Sequence, residues 1–237
     1  MPRLSEPTGH AVFVHGAGGG GWEWAIWARV FAADGWQVLA PDLRPAGGGL
    51  AATRLADYAG QVRQWLAPLP RPRVLVGASL GGLLAAMNAG DADALVLVNP
   101  MPPAGLPGAA ARPAIVPWGR TASLAGTRRA LPGADDAAAL FAFRRWRDES
   151  GAVLDEAAAG VPVTAPAIPA LVIGSESDAD VPLDASRTLA SSWSAAFHAI
   201  PGSHVDPLLG RGAAALASRA LAWLHEQTGP ANGVREH

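Results

Sequence analysis

The chain has 237 residues, half of them hydrophobic, with a formal net charge of -2 and no cysteine. Disulfides and thiolate catalysis are thereby excluded, and the near-neutral balance leaves no basic footprint for nucleic acid. No apolar run of about 18 residues occurs, so no membrane span is expected.

Residues 1–7 lack the apolar core of a signal peptide, so the simplest expectation is a cytoplasmic protein. In chain order, apolar runs then alternate with helix-like periodicity. Residues 11–14 predict a first strand and 22–33 a helix, and 37–40 predict a second strand that closes on Pro41-Asp42. Leu55, Ala59, Val62 and Leu66 have the spacing of one helix face over 55–66. Residues 73–76 read as a strand running into a helix that ends near Ala89, and 94–98 as the next strand, ending at Asn99-Pro100. After a long insertion come a strand at 170–173, a helix near 184–191, a strand at 197–200 and a helix over 212–226. Such repeated units imply one α/β domain over 1–237, built on a doubly wound, mostly parallel sheet of about six strands. The tail from Thr228 to His237 is expected to fray.

The insertion, 101–167, fits no strand; it is rich in Pro, Gly and Ala, with helix-like stretches near 120–131 and 135–148. Arg144 with Asp148 and Arg145 with Glu149 have i,i+4 spacing, which predicts a salt-bridged exposed helix face. An anion clamp for a substrate carboxylate or phosphate is the sharper reading of the same arginines.

Chemistry concentrates at Gly77-Ala78-Ser79-Leu80-Gly81. An apolar strand precedes it and a helix follows, so Ser79 stands at the apex of a sharp strand-to-helix turn. Glycine two places to either side gives the turn room, and the helix behind aims backbone N–H groups at developing negative charge. A serine hydroxyl is a weak nucleophile and needs a base to take its proton and a carboxylate to orient that base. Among six histidines, His204 lies in a loop after the final strand, and His15, at the end of the first, is its rival. His10 precedes the first strand, His198 lies within a strand, His225 in the last helix and His237 at the end of the chain. For the acid, Asp178 follows the strand at 170–173, with Asp180 and Glu176 as neighbours. The order is then Ser79, an acid after a strand and a histidine after a strand, and all fall beyond the carboxyl ends of strands, where doubly wound sheets bind ligands. His204-x-Asp206 is the closest approach to a metal-ligand pair, and no third ligand has matching spacing; no metal or cofactor is expected.

These motifs resemble the α/β-hydrolase superfamily over nearly the whole chain. The spacing from Asp178 to Pro182 is similar to the family's Asp-x-x-Val-Pro pattern, and His15-Gly16-Ala17-Gly18-Gly19-Gly20-Gly21-Trp22-Glu23-Trp24 resembles its oxyanion loop. The Trp-x-Trp ending is similar to that of the small esterase and hydroxynitrile lyase branch. The resemblance implies an oxyanion hole made of the Ala17 and Leu80 N–H groups, with Gly18 beside it, and a first strand whose N-terminal hairpin is missing or shortened. It also implies that 101–167 forms a cap, with Trp118 and Phe141 as candidates to line an acyl pocket. Val205 stands where hydroxynitrile lyases carry lysine, and Gly16 where they carry threonine, so cyanohydrin cleavage is disfavoured. Serine at the elbow, in place of the aspartate of dehalogenases and epoxide hydrolases, implies acyl transfer to water. The expectation is a serine hydrolase acting on a small-molecule ester or thioester. A catalytically silent ligand-binding protein of the same fold, or a carbon–carbon hydrolase or perhydrolase with the same triad, is the alternative.

Overall fold

Apolar runs without polar alternation make strands buried on both faces, and helices cover them. The computed structural model describes residues 7–106, 108 and 110–228; the expected fraying tail, beyond Thr228, lies outside them. The chain runs through β1 (Gly9–Val14), α1 (Ala25–Ala33), β2 (Trp36–Leu39), α2 (Leu55–Leu66), β3 (Arg73–Ala78), α3 (Leu80–Met87) and β4 (Ala94–Val98). The insertion carries β5 (Ile115–Val116), α4 (Leu124–Ala130), α5 (Asp136–Phe143), β6 (Glu149–Ser150) and α6 (Gly151–Ala159). β7 (Ala170–Ser175), α7 (Leu183–Ser192), β8 (Ala196–Ile200), α8 (Asp206–Leu209) and α9 (Ala213–Thr228) complete the chain.

The main sheet has six strands in the order β2-β1-β3-β4-β7-β8, and every pairing in it is parallel. Successive residues of each strand feed opposite faces. Phe13, Val74, Val76, Val96 and Ile173 meet α1 and α9, whereas Val12, Leu75, Leu95, Leu97 and Val172 meet α2, α3 and α7. Tryptophans fill the first face: Phe13 lies 5.1 Å from Trp24 and 5.0 Å from Phe31, centroid to centroid, and the Trp27 indole donates to Pro207 O at 2.9 Å. The strand order reverses between β1 and β3, whose carboxyl ends Val14 and Gly77 are register partners. A crevice opens at such a reversal, and the turns after β1 and β3 both feed it.

Three expectations need correction. β1 begins at Gly9, because Gly9 and His10 pair with Trp36 and Gln37 of β2; His10 therefore lies in the strand. The insertion, expected to hold no strand, contains the antiparallel β5–β6 pair. Its helices are also shorter: α4 waits for the Ser123 cap, whose hydroxyl accepts from Gly126 N, and α5 stops at Arg144. Apolar packing anchors the insertion through α6, where Val153 and Ala157 join the α2–α3 face of the core.

Candidate active site

Ser79 adopts φ 52°, ψ −121°, in a region that side chains other than glycine rarely enter. Such strain costs about 1–3 kcal/mol and persists only where the surroundings impose it. Here they do: Ser79 N donates to Val98 O at 3.0 Å, and Ser79 O accepts from Gly82 N at 2.9 Å and Met101 N at 2.9 Å. The flanking glycines are steric requirements. A Cβ on Gly77 would strike Gly81 O, and one on Gly81 would strike Val14 O and His15 O.

His204 and Asp178 come from the loops after β8 and β7. His204 Nδ1 lies 2.7 Å from Asp178 Oδ2, and the Asp178 side chain is fully buried. The other oxygen, Oδ1, accepts from Asp180 N at 2.8 Å and Val181 N at 2.9 Å, so backbone donors fix the carboxylate's rotamer. Burial pulls the His204 pKa down, but the hydrogen bond and charge of Asp178, with the charge of Asp180, outweigh it and leave the group above its ordinary value. Asp180 is exposed and makes no bond to the imidazole. Glu176 is exposed, and its amide N donates to Ile200 O. Asp178, Asp180 and His204 each offer a ligand atom within 4.8 Å of the others, yet both Asp178 oxygens are already engaged. Asp206 turns away from this group: it accepts from Ser203 N at 2.8 Å and Gly133 N at 2.9 Å, bracing the His204 loop against the insertion.

Asn99 is a residue that sequence reading passed over. It holds φ 43° at the end of β4. Its side chain accepts from Ser175 N at 2.7 Å and donates to His204 O at 2.8 Å, tying β4, β7 and the histidine loop together. Only its place at a strand end, before a proline, hinted at a special conformation.

The Gly-rich turn after β1 brings Ala17 and Gly18 to the rim of the same cavity as Ser79 and His204. Neither Ala17 N nor Leu80 N donates to an acceptor among the described residues, so both amides are available to a ligand. The insertion holds this turn in place. Glu149, buried, accepts from Gly18 N at 3.1 Å, from Tyr58 Oη at 2.9 Å and from Ser150 N at 2.8 Å. Arg147 N donates to Gly18 O at 2.7 Å, and its guanidinium to Gly19 O at 2.5 Å. His15 is the third part of the brace. Nδ1–H donates to Gly16 O at 2.7 Å, while Nε2 accepts from Leu43 N at 2.8 Å and faces Arg147. Burial drives its pKa down to about 4, so the ring is neutral with both nitrogens committed. The rival base is thus a strut.

The predicted Arg144–Asp148 and Arg145–Glu149 pairs do not form. Arg120 takes Asp148, Arg145 lies 3.7 Å over the Phe141 ring, and Glu149 is inside. The helix ends before the i,i+4 geometry is complete, and the buried amide of Gly18 claims the carboxylate instead. Glu149→Gln is expected to cost about 1–3 kcal/mol in urea denaturation, since its amide would confront a buried donor. An unchanged midpoint would show that the brace contributes nothing to stability.

The cavity in front of Ser79 has a volume of about 560 Å³. Met101, Leu106, Trp118, Trp146 and Leu154 give it apolar walls, and Arg112 and Arg129 stand among its polar lining. Trp118 lies over Gly18, where a Cβ would come within 2.7 Å of the ring, so the two expected contact residues meet. Phe141 is elsewhere: its ring packs edge-on against Trp22 at 5.8 Å and does not line the cavity. Its position near the end of α5 turns it toward the β1 turn.

Parallel doubly wound sheet, strained serine elbow and a histidine–carboxylate pair on one crevice define a hydrolase-type α/β fold. The model of the Alpha/beta hydrolase family matches residues 11–219, and the chain belongs to that family. No curated protein matches the chain. Solved structures do, at low identity. A point variant of tomato methylketone synthase I is 17% identical, with a TM-score of 0.73 over 93% of this chain and 99% of that one. A pyrethroid hydrolase from Sphingobium faniae is 21% identical, with a TM-score of 0.70 over 95% and 99%. An Arabidopsis methylesterase is 18% identical, with a TM-score of 0.70 over 90% and 99%. Among the described residues no helix is long and apolar enough to cross a membrane.

Proposed function

We propose that the chain is a serine hydrolase that cleaves a small-molecule ester or thioester through an acyl-enzyme on Ser79. The carrying observation is that His204, held at 2.7 Å by the buried Asp178 behind it, lines the same cavity as Ser79. Membership of the family supports hydrolysis, and a methylesterase and a pyrethroid hydrolase share the fold.

In this reading His204 Nε2 takes the Ser79 proton as Oγ attacks the carbonyl carbon. The carbonyl electrons move to oxygen, held by Ala17 N–H and Leu80 N–H, each worth about 3–4 kcal/mol to the transition state. The tetrahedral centre collapses, and the leaving alcohol or thiol departs with the proton from His204. Water repeats the sequence on the acyl-enzyme and releases the acid. Asp178 keeps the Nδ1 proton in place and stabilises the imidazolium without taking that proton. No step calls on a cofactor. Residues 101–167 act as the cap, and their apolar wall at Trp118 selects the acyl group.

Turnover of a panel of p-nitrophenyl esters and acyl thioesters, with intact-mass detection of an acyl adduct, tests the proposal. Turnover with an adduct on Ser79 supports it; neither, across the panel, leaves the silent ligand-binding protein. The base must be neutral to act, and Asp178 holds His204 above its ordinary pKa of 6.5. kcat/KM is therefore expected to rise with pH through an inflection above that value. An inflection below it would contradict the assigned environment.

A further inference from the structure

A second, smaller cavity of about 60 Å³ lies against Ser79 and His204 and adjoins the one that would take the acyl group, sharing Ala17, Trp146 and Val205 with it. Ala78, Trp146 and Leu208 give it apolar walls, and Glu23 closes it. Glu23 is almost fully buried, with 3% exposure, and the proposed mechanism leaves it without a role. Its Oε2 accepts from Gly16 N at 3.3 Å, and the carboxyl lies flat on Gly19, where any Cβ would collide with it. Buried water needs room for at least one molecule and two to four polar partners. This cavity has space for one or two waters, and Ser79, His204 and Glu23 among its lining residues carry polar side chains.

Resting on the reading of Ser79 as the acylated nucleophile, we propose that this cavity delivers the deacylating water and that Glu23 holds it. The bound water donates one hydrogen bond to a Glu23 oxygen and presents its other O–H to His204. Its oxygen attacks the acyl carbon while His204 Nε2 takes a proton. The carbonyl electron pair moves onto the oxyanion, then returns as the bond to Ser79 Oγ breaks, and Oγ recovers the proton from His204. Glu23 ends each cycle as it began. The placement puts the water on the Glu23 side of Ser79 and His204, while the acyl and leaving groups occupy the wider, adjoining cavity.

The protonation state of Glu23 follows from its surroundings. Burial pushes its pKa up to about 8, against the Gly16 and Gly20 amides and the charges of His204, from the loop after β8, and Arg147, from the insertion. Neutral Glu23 orients the water without placing a negative charge beside the oxyanion loop. Above about pH 8 that charge appears, and deacylation is expected to decline.

Pre-steady-state kinetics with p-nitrophenyl acetate read the two steps separately. Glu23→Leu should slow deacylation by about tenfold to a hundredfold, the scale of lost positioning, while acylation changes by less than about threefold. The acetyl adduct on Ser79 should accumulate to match. Glu23→Gln keeps an oxygen acceptor of the same size, and it should deacylate at a rate close to that of the parent but without the decline above about pH 8. If Glu23→Leu does not fold, loss of that decline in Glu23→Gln carries the test. Equal slowing of both steps, no slowing of either, or a decline retained in Glu23→Gln overturns the proposal. Absence of any Ser79 adduct, in parent and variants alike, would instead overturn the acyl-enzyme reading on which it rests.

Discussion

Ser79→Ala is expected to reduce ester turnover by about 10⁶, leaving only a residual rate from the oxyanion hole and substrate binding. A fluorophosphonate should label the parent protein once, at Ser79, and should not label the variant. The fold is expected to survive, because the conformation is imposed by Val98 O, Gly82 N and Met101 N and alanine can be held in it as serine is. Ser79→Gly sharpens the test. At φ 52° a glycine relieves strain that serine endures, so this variant should be as inactive as the alanine form yet more stable, by about 1 kcal/mol in urea denaturation. A label mapped to another residue, or full turnover in Ser79→Ala, would remove the nucleophile assignment. A glycine variant less stable than the alanine form would show that the elbow stores no strain.

The sheet was legible because its four inner strands, β1, β3, β4 and β7, are short, buried on both faces and separated by helices. Leu55, Ala59, Val62 and Leu66 marked a helix whose observed limits are Leu55–Leu66, and 94–98 is the observed β4. The elbow was legible for a steric reason. Gly77 and Gly81 are the only residue type that fits against Gly81 O and Val14 O, so composition reports geometry there. The insertion was not legible. Helix spacing over Arg144–Glu149 suggested surface ion pairs, but spacing carries no information on what lies across a tertiary contact. Gly18 N is 131 residues away from the carboxylate it engages. The same blindness hid Asn99, whose partners are on β7 and the His204 loop, and Glu23, which looks like an ordinary first-turn acid. Phe141 failed as a pocket residue because an aromatic in a cap sequence has no assigned direction until α5 is placed. Local sequence thus marks the strained serine elbow and the loops that carry His204 and Asp178, while the residues that hold those loops are found only by seeing them assembled.

Asp178→Asn and Asp180→Asn separate two carboxylates that differ in the sequence by two positions and in the structure by their bonds. In Asp178→Asn the side-chain amide oxygen can still accept from Asp180 N and Val181 N, so the loop should keep its form. The new amide nitrogen would then face His204 Nδ1, a donor where an acceptor stood at 2.7 Å. The imidazole must answer with a lone pair on Nδ1, which moves its proton to Nε2 and removes the base from the serine side. Turnover is expected to fall by about 10⁴. The imidazolium also loses its principal support, so any remaining activity should titrate at lower pH than in the parent. Asp180 is exposed and acts on His204 only through its field, which water and salt screen. Asp180→Asn should change kcat by less than about threefold and move the pH inflection slightly downward, an effect that shrinks in high salt. Measuring kcat/KM for one p-nitrophenyl ester across pH, with all three proteins at low and high salt, gives both comparisons. A larger loss in Asp180→Asn than in Asp178→Asn would reverse the assignment of the acid while leaving Ser79 and His204 in their roles.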